Sequence, residues 1–136
     1  MQLLVLDTGV LLAYFNQKDH SHAQALRGFR QLAREGTRLV VSSSVVLETA
    51  KRMLFDVSPV AMRVATEIMF ETLEIVDTTK PSIQNALDLI MRLNHRTISL
   101  EDAVVINLAL TFNAPVWTYN YRDFGGIKNL EFWTPA

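Results

Sequence analysis

Short apolar runs that alternate with longer helical patterns constrain the fold of this chain more than any other feature. The runs that indicate buried strands are residues 2–6, 38–41, 73–76 and 115–118, and the tail at 130–132 suggests a fifth strand. Strands that alternate with helical segments of this length form a parallel sheet with helices on both faces. We therefore expect one α/β domain over residues 1–136, with three α/β/α layers and a mainly parallel sheet of four to five strands.

Helix start and stop residues separate the strands from one another. Helical patterns cover about 10–15, 20–34, 45–55, 58–71, 81–94 and 99–112. Asp19 is expected to cap the second of these helices, and Gly36 to end it. Ser58 and Pro59 are a typical cap and first helical residue. These helix start and stop residues support the alternating order of strands and helices.

Composition excludes several classes of protein. The chain of 136 residues is nearly half apolar, which argues against disorder, and no apolar stretch is long enough for a membrane helix. The first residues lack the basic region of a secretory signal. The absence of cysteine rules out disulfides and thiolate metal sites, so we expect a cytoplasmic protein. A net charge of −1 leaves any nucleic-acid binding to a local patch.

Three acidic residues follow predicted strands or begin a helix near a strand end. Asp7 comes directly after the first strand, Glu48 lies about one turn into the helix after the second, and Asp102 lies in the first turn of an apolar helix. Each also has a structural interpretation: Asp7 as a helix cap, Glu48 as solvated surface, and Asp102 as part of a capping box with Ser99. Asn120 and Asp123 follow the fourth strand, where such residues also occur in ordinary turns.

The combination of these residues indicates more than any one of them. In a parallel sheet the groups that follow different strands converge at one edge, which is where ligands bind. Clustered carboxylates repel each other, and a divalent cation removes that cost. Oxygen ligands suit Mg²⁺ or Mn²⁺, ions that activate water and stabilise the leaving oxygen in phosphodiester hydrolysis. We therefore predict a metal-dependent nuclease.

At this point the sequence resembles the PIN-domain family, and in particular the VapC-like toxins of toxin–antitoxin pairs. Four segments carry the resemblance, in the family's order and at family-like spacing, over essentially the whole chain. They are 4–13 with Asp7, 42–48 with Glu48, 98–103 with Asp102, and 118–124, which reads Thr-Tyr-Asn-Tyr-Arg-Asp-Phe. Many members have an aspartate two residues after the threonine, where this chain has Asn120, so Asp123 is the alternative source of the fourth acid.

The resemblance implies an endoribonuclease that depends on Mg²⁺ or Mn²⁺, forms homodimers and is blocked by a small antitoxin. We expect Asp7 and Asp102 to bind the principal metal ion, and Glu48 to bind it through water or to position the attacking water. Asp123 would complete the acidic rim. Three polar residues would hydrogen-bond these carboxylates or the metal's waters: Thr8, Ser43 and Asn120.

Basic residues near the acidic motifs are candidates for RNA contacts. Arg52, Arg96 and Arg122 are favoured because their motifs lie beside the predicted metal ligands. Two other functions remain open from the sequence. One is a PIN nuclease for RNA processing that has no antitoxin, and the other is a non-catalytic module that binds RNA or protein.

Overall fold

The computed structural model describes residues 2–94 and 96–136, and its secondary structure follows the predicted order. The strands are β1 (Leu3–Leu6), β2 (Arg38–Ser42), β3 (Glu74–Val76) and β4 (Val116–Trp117). The helices are α1 (Thr8–Phe15), α2 (His22–Glu35), α3 (Ser43–Asp56), α4 (Pro59–Thr72), α5 (Lys80–Leu93), α6 (Leu100–Phe112) and the short α7 (Tyr121–Phe124).

All four strands are parallel and lie in the order β3-β2-β1-β4. The chain moves outward from β1 through β2 to β3 and then crosses back to β4 on the other side of β1. Since crossovers between parallel strands are right-handed, this reversal puts α1–α4 on one face of the sheet and α5–α6 on the other. The helix contacts agree, because α1 packs on α2 and α3, while α5 packs on α6. The predicted three-layer parallel fold is confirmed.

The helix ends show why the local sequence predicted most of the elements. Ser42, Ser58 and Ser99 accept hydrogen bonds from the backbone N–H groups that open α3, α4 and α6. Gly36 ends α2 in the left-handed region, with φ of 66°. The prediction for Asp19 is wrong. It accepts a hydrogen bond from the Ser21 N–H in the loop before α2, and Ser21 occupies the cap position.

The tail adds a single bridge to the sheet. Val116 pairs in parallel with Phe132, through hydrogen bonds to Glu131 and Trp133, and no strand forms there among the described residues. The core is built on the buried strands β1 and β4, with Trp117 and Phe124 among its largest fully buried side chains. No helix in the described ranges is long and apolar enough to cross a membrane.

Candidate functional site

The carboxyl end of β1 lies where the strand order reverses. β1 pairs with β2 on one side and with β4 on the other, and the helices that lead into these two neighbouring strands lie on opposite faces. Open parallel sheets bind ligands in the crevice that such a reversal creates. Asp7 follows β1 at this point and is the N-cap of α1. The topology therefore sets Asp7 at the position where a ligand is expected.

Asp7 is a buried carboxyl group with two hydrogen-bond donors, and only 9% of the residue is exposed. Its Oδ1 accepts a hydrogen bond of 2.9 Å from the Thr8 N–H, and its Oδ2 accepts one of 2.7 Å from the Thr118 hydroxyl. Burial raises the pKa of Asp7, the two hydrogen bonds oppose that effect, and the nearby charge of Asp102 adds to it. Within residues 2–94 and 96–136, no positive charge thus compensates the ionised form of Asp7, and a cation would supply one.

Thr118 is a site residue that the sequence interpretation did not single out. Its fully buried hydroxyl donates to Asp7 and accepts a 2.9 Å hydrogen bond from the Asn120 N–H. Leu6 pairs with Trp117 in the β1–β4 register, so the residues that follow them, Asp7 and Thr118, come side by side. A threonine at the end of a strand was visible in the sequence. Its contact with Asp7 depends on β4 lying beside β1.

Glu48 reaches the same region from α3. It lies in the second turn of α3, and its side chain borders the same space as Asp7. The side chain is 25% exposed, and Glu48 Oε2 lies 3.4 Å from the Lys51 ammonium. Arg52 also borders this region, but its guanidinium is held by Asp56 at 3.1 Å.

Asp102 is held at the start of α6 by a reciprocal pair of hydrogen bonds. Its carboxylate accepts from the Ser99 N–H, and the Ser99 hydroxyl accepts from the Asp102 N–H, both at 3.0 Å. The capping box predicted from the sequence is present and fixes the carboxylate. Glu101, beside it, was not predicted as a site residue. Burial raises the pKa of the Glu101 carboxyl, and the charge of Glu48 raises it further, against an opposing effect of Lys51.

The side chains of Asp7, Glu48, Glu101 and Asp102 line one cleft of about 240 Å³. Thr8, Gly9, Leu12, Val45, Arg52, Ser99 and Val105 complete its walls. Within the described residues, no three acidic or histidine side chains are close enough to hold one ion jointly. The cleft thus offers hard oxygen donors at its edges, with room between them for water.

The other predicted site residues lie outside this cleft. Asp123 is in the first turn of α7, and Arg96 and Arg122 are exposed. Asn120 contacts the Asp7 network through its backbone N–H, while the Ser43 hydroxyl accepts a 2.8 Å hydrogen bond from the Thr78 N–H. Ser43 thereby ties the start of α3 to the segment that follows β3.

Comparison with known proteins gives both a family and a fold. The family model of the PIN domain matches residues 4–129 of this chain. No curated protein sequence matches the chain.

Several solved structures have the same fold. A complex named VapBC2 from Rickettsia felis, bound to a DNA fragment from its promoter, has a TM-score of 0.77 at 21% identity, covering 97% of this chain and 98% of that one. VapC20 from Mycobacterium tuberculosis, a toxin that cleaves the sarcin-ricin loop, has a TM-score of 0.78 at 17% identity, covering 93% and 98%. VapBC-1 from nontypeable Haemophilus influenzae has a TM-score of 0.72 at 17% identity, covering 98% of each chain.

Proposed function

The chain belongs to the PIN-domain family, as its four sequence motifs predicted, and from this we propose that it is a metal-dependent endoribonuclease. The observation that carries the proposal is the buried carboxyl of Asp7 at the β1–β4 reversal, in one cleft with Glu48 and Asp102. A carboxyl held there without a positive partner is costly for a fold, and a divalent cation offsets that cost.

The donor chemistry of the cleft fits Mg²⁺ or Mn²⁺. We assign Asp7 and Asp102 as direct ligands and Glu48 as a ligand through water or as the group that orients the attacking water. Mg²⁺ uses only one or two carboxylates and keeps several waters, so three touching acids are not required. The ion would supply Lewis acidity for hydrolysis of the phosphodiester bond.

The protein's own contribution is to hold these oxygens in place. Thr118 and the Thr8 N–H fix both oxygens of Asp7, and the Ser99 N–H fixes one oxygen of Asp102. Such supporting hydrogen bonds orient ligands and tune their affinity for metal. Asn120 contributes through Thr118, and we retain Ser43 as a support for the start of α3.

Longer RNA would extend beyond the cleft toward the flanking basic residues. Arg52 lines the cleft itself, and we propose that Arg96 and Arg122 contact phosphates on either side of it. Asp123, which lies outside the cleft, would act on the approaching strand or on a second ion. We propose that the protein acts in the cytoplasm, as its lack of cysteine led us to expect.

We also propose a small antitoxin and a second copy of the chain as partners. The similarity in fold to VapBC complexes supports the antitoxin. Several large apolar side chains on the α3–α4 hairpin are exposed and supply a surface suited to protein contacts. They are Leu47, Phe55, Val60, Val64 and Phe70.

RNA cleavage with Mn²⁺ or with EDTA tests the proposed function. We expect the wild type to cleave RNA with Mn²⁺ only, and Asp7→Asn and Asp102→Asn to lose cleavage while remaining folded. Glu67→Gln is the matched control, because Glu67 is an exposed acid paired with Arg63 on α4. Full activity of Asp102→Asn would contradict the assignment. Absence of Mn²⁺ binding to the wild type by calorimetry would favour a non-catalytic binding module.

A further inference from the structure

Lys51 contacts an acid of the cleft, although the sequence favoured other cations for substrate binding. We propose that Lys51 has two partners in turn: the Glu48 carboxylate in the metal-free protein, and a phosphate of the RNA strand once a divalent ion occupies the cleft. This inference rests on the proposed nuclease function. It adds a substrate-binding residue to that function, and it explains how a cleft lined by carboxylates can accept a negatively charged RNA strand.

The contact lies at the rim of the cleft. Lys51 follows Glu48 by one turn of α3, and its Nζ lies 3.4 Å from Glu48 Oε2. The lysine side chain is 58% exposed, whereas that of Glu48 is 25% exposed. The ammonium therefore reaches inward from solvent to the carboxylate, and no buried packing holds it there.

The other predicted RNA-binding cations are placed differently. Arg52 borders the cleft, but both its Nε and a terminal nitrogen contact Asp56 at 3.1 Å. In the part of the chain that the structure describes, neither Arg96 nor Arg122 lines the cleft or pairs with one of its acids, whereas Lys51, also outside the lining, pairs with Glu48. Among the described residues, Lys51 provides the only ion pair with an acid of the cleft.

Charge balance gives the reason for an exchange of partners. Four carboxyl groups line the cleft, and RNA carries a negative charge on every phosphate. An exposed ion pair is weak, so a divalent cation near Glu48 would displace the ammonium by repulsion at little cost. A lysine ammonium is a point charge on a flexible stem, and the nearest free anion after displacement would be a phosphate of the bound strand.

The inference predicts that one substitution has opposite effects on metal binding and on RNA binding. In Lys51→Ala, loss of the competing ammonium should make Mn²⁺ binding about 2- to 5-fold tighter by calorimetry without RNA, in line with an exposed pair. The same variant should raise KM for single-stranded RNA with kcat nearly unchanged. The plot of log(kcat/KM) against log salt should become shallower by about 0.7, the loss of one phosphate contact.

Two further variants isolate the charge of Lys51. Lys51→Arg keeps the positive charge and should retain the wild-type salt dependence. Arg63→Ala is the matched control, because it breaks an exposed ion pair on α4 and should change neither Mn²⁺ affinity nor RNA kinetics. Tighter Mn²⁺ binding together with the shallower salt slope in Lys51→Ala would support the inference.

The failures of the two proposals are distinguishable. If the wild type binds Mn²⁺ and cleaves RNA but Lys51→Ala keeps the wild-type salt slope, the phosphate contact is overturned while the nuclease stands. If Mn²⁺ affinity is also unchanged, the exchange of partners is overturned as a whole. A wild type that neither binds Mn²⁺ nor cleaves RNA overturns the nuclease, and this inference with it.

Discussion

Replacement of Thr118 by valine probes the support behind Asp7 with almost no change in shape. The substitution removes a fully buried hydroxyl that donates to Asp7 Oδ2 at 2.7 Å and accepts from the Asn120 N–H at 2.9 Å. Loss of the first hydrogen bond removes a donor from the Asp7 carboxylate, and loss of the second leaves the Asn120 N–H without its partner. Together these losses should lower the free energy of unfolding by about 2–4 kcal/mol.

Thr49 offers an internal control for this substitution. It is also a fully buried threonine, on α3, but its hydroxyl oxygen has no hydrogen-bond partner among the described residues. Thr49→Val should therefore leave stability unchanged or raise it by up to about 1–2 kcal/mol, because a desolvated polar atom is removed. Urea unfolding in EDTA, with unchanged slopes, measures both values.

The same substitution should weaken metal binding. The Thr118 hydrogen bond lowers the pKa of Asp7, so its loss makes the ionised ligand harder to form. We expect Mn²⁺ affinity to fall by about 10- to 100-fold in Thr118→Val, with recovery in Thr118→Ser, which keeps the hydroxyl. Equal stability changes at Thr118 and Thr49, or wild-type Mn²⁺ affinity in Thr118→Val, would refute the reasoning.

Three further substitutions test other contacts. In Gly28→Ala the new Cβ would lie 2.7 Å from Cζ2 of the buried Trp117, so unfolding by urea should show a net loss of about 1–3 kcal/mol; a gain would contradict this packing. Ser99→Ala should cost about 1 kcal/mol and reduce Mn²⁺ affinity through Asp102, and calorimetry checks the second effect. Burial holds the pKa of Asp7 in the folded protein above its usual value. In EDTA, the contribution of Asp7 to stability is therefore complete below the pKa of the unfolded state and is lost as the pH rises through the pKa of the folded state. Asp7→Asn should flatten that pH dependence, and a wild-type pH profile would count against it.

Local sequence determined the helices and strands to within a few residues. Apolar runs, serine caps and Gly36 act within one or two turns of chain, so they can be recognised in the sequence without knowledge of the fold. The alternation of strands and helices then predicted the parallel three-layer fold class, because parallel strands require crossover connections. The Asp102 capping box was also predicted, since both partners lie within one helical turn.

The composition of the cleft depended on tertiary structure. That Asp7 meets Thr118 follows from β4 pairing with β1, 111 residues apart in sequence. Glu101 on α6 comes near Glu48 on α3 because the two helices meet at the cleft, a relation that periodicity alone does not give. Asp123 lies outside it because the loop after β4 folds into α7, a helix too short to be detected as a pattern.

The acids that follow the strands were thus visible in the sequence, but their environment was not. A carboxylate after an apolar run can be recognised from adjacent residues. Its burial, the Thr118 hydroxyl that donates to it and the nearby charge of Asp102 come from segments far apart in the chain, and strand order and register bring those segments together. Burial and the charge of Asp102 raise the pKa of Asp7 while Thr118 lowers it, and the chemistry proposed for the cleft rests on these long-range contacts.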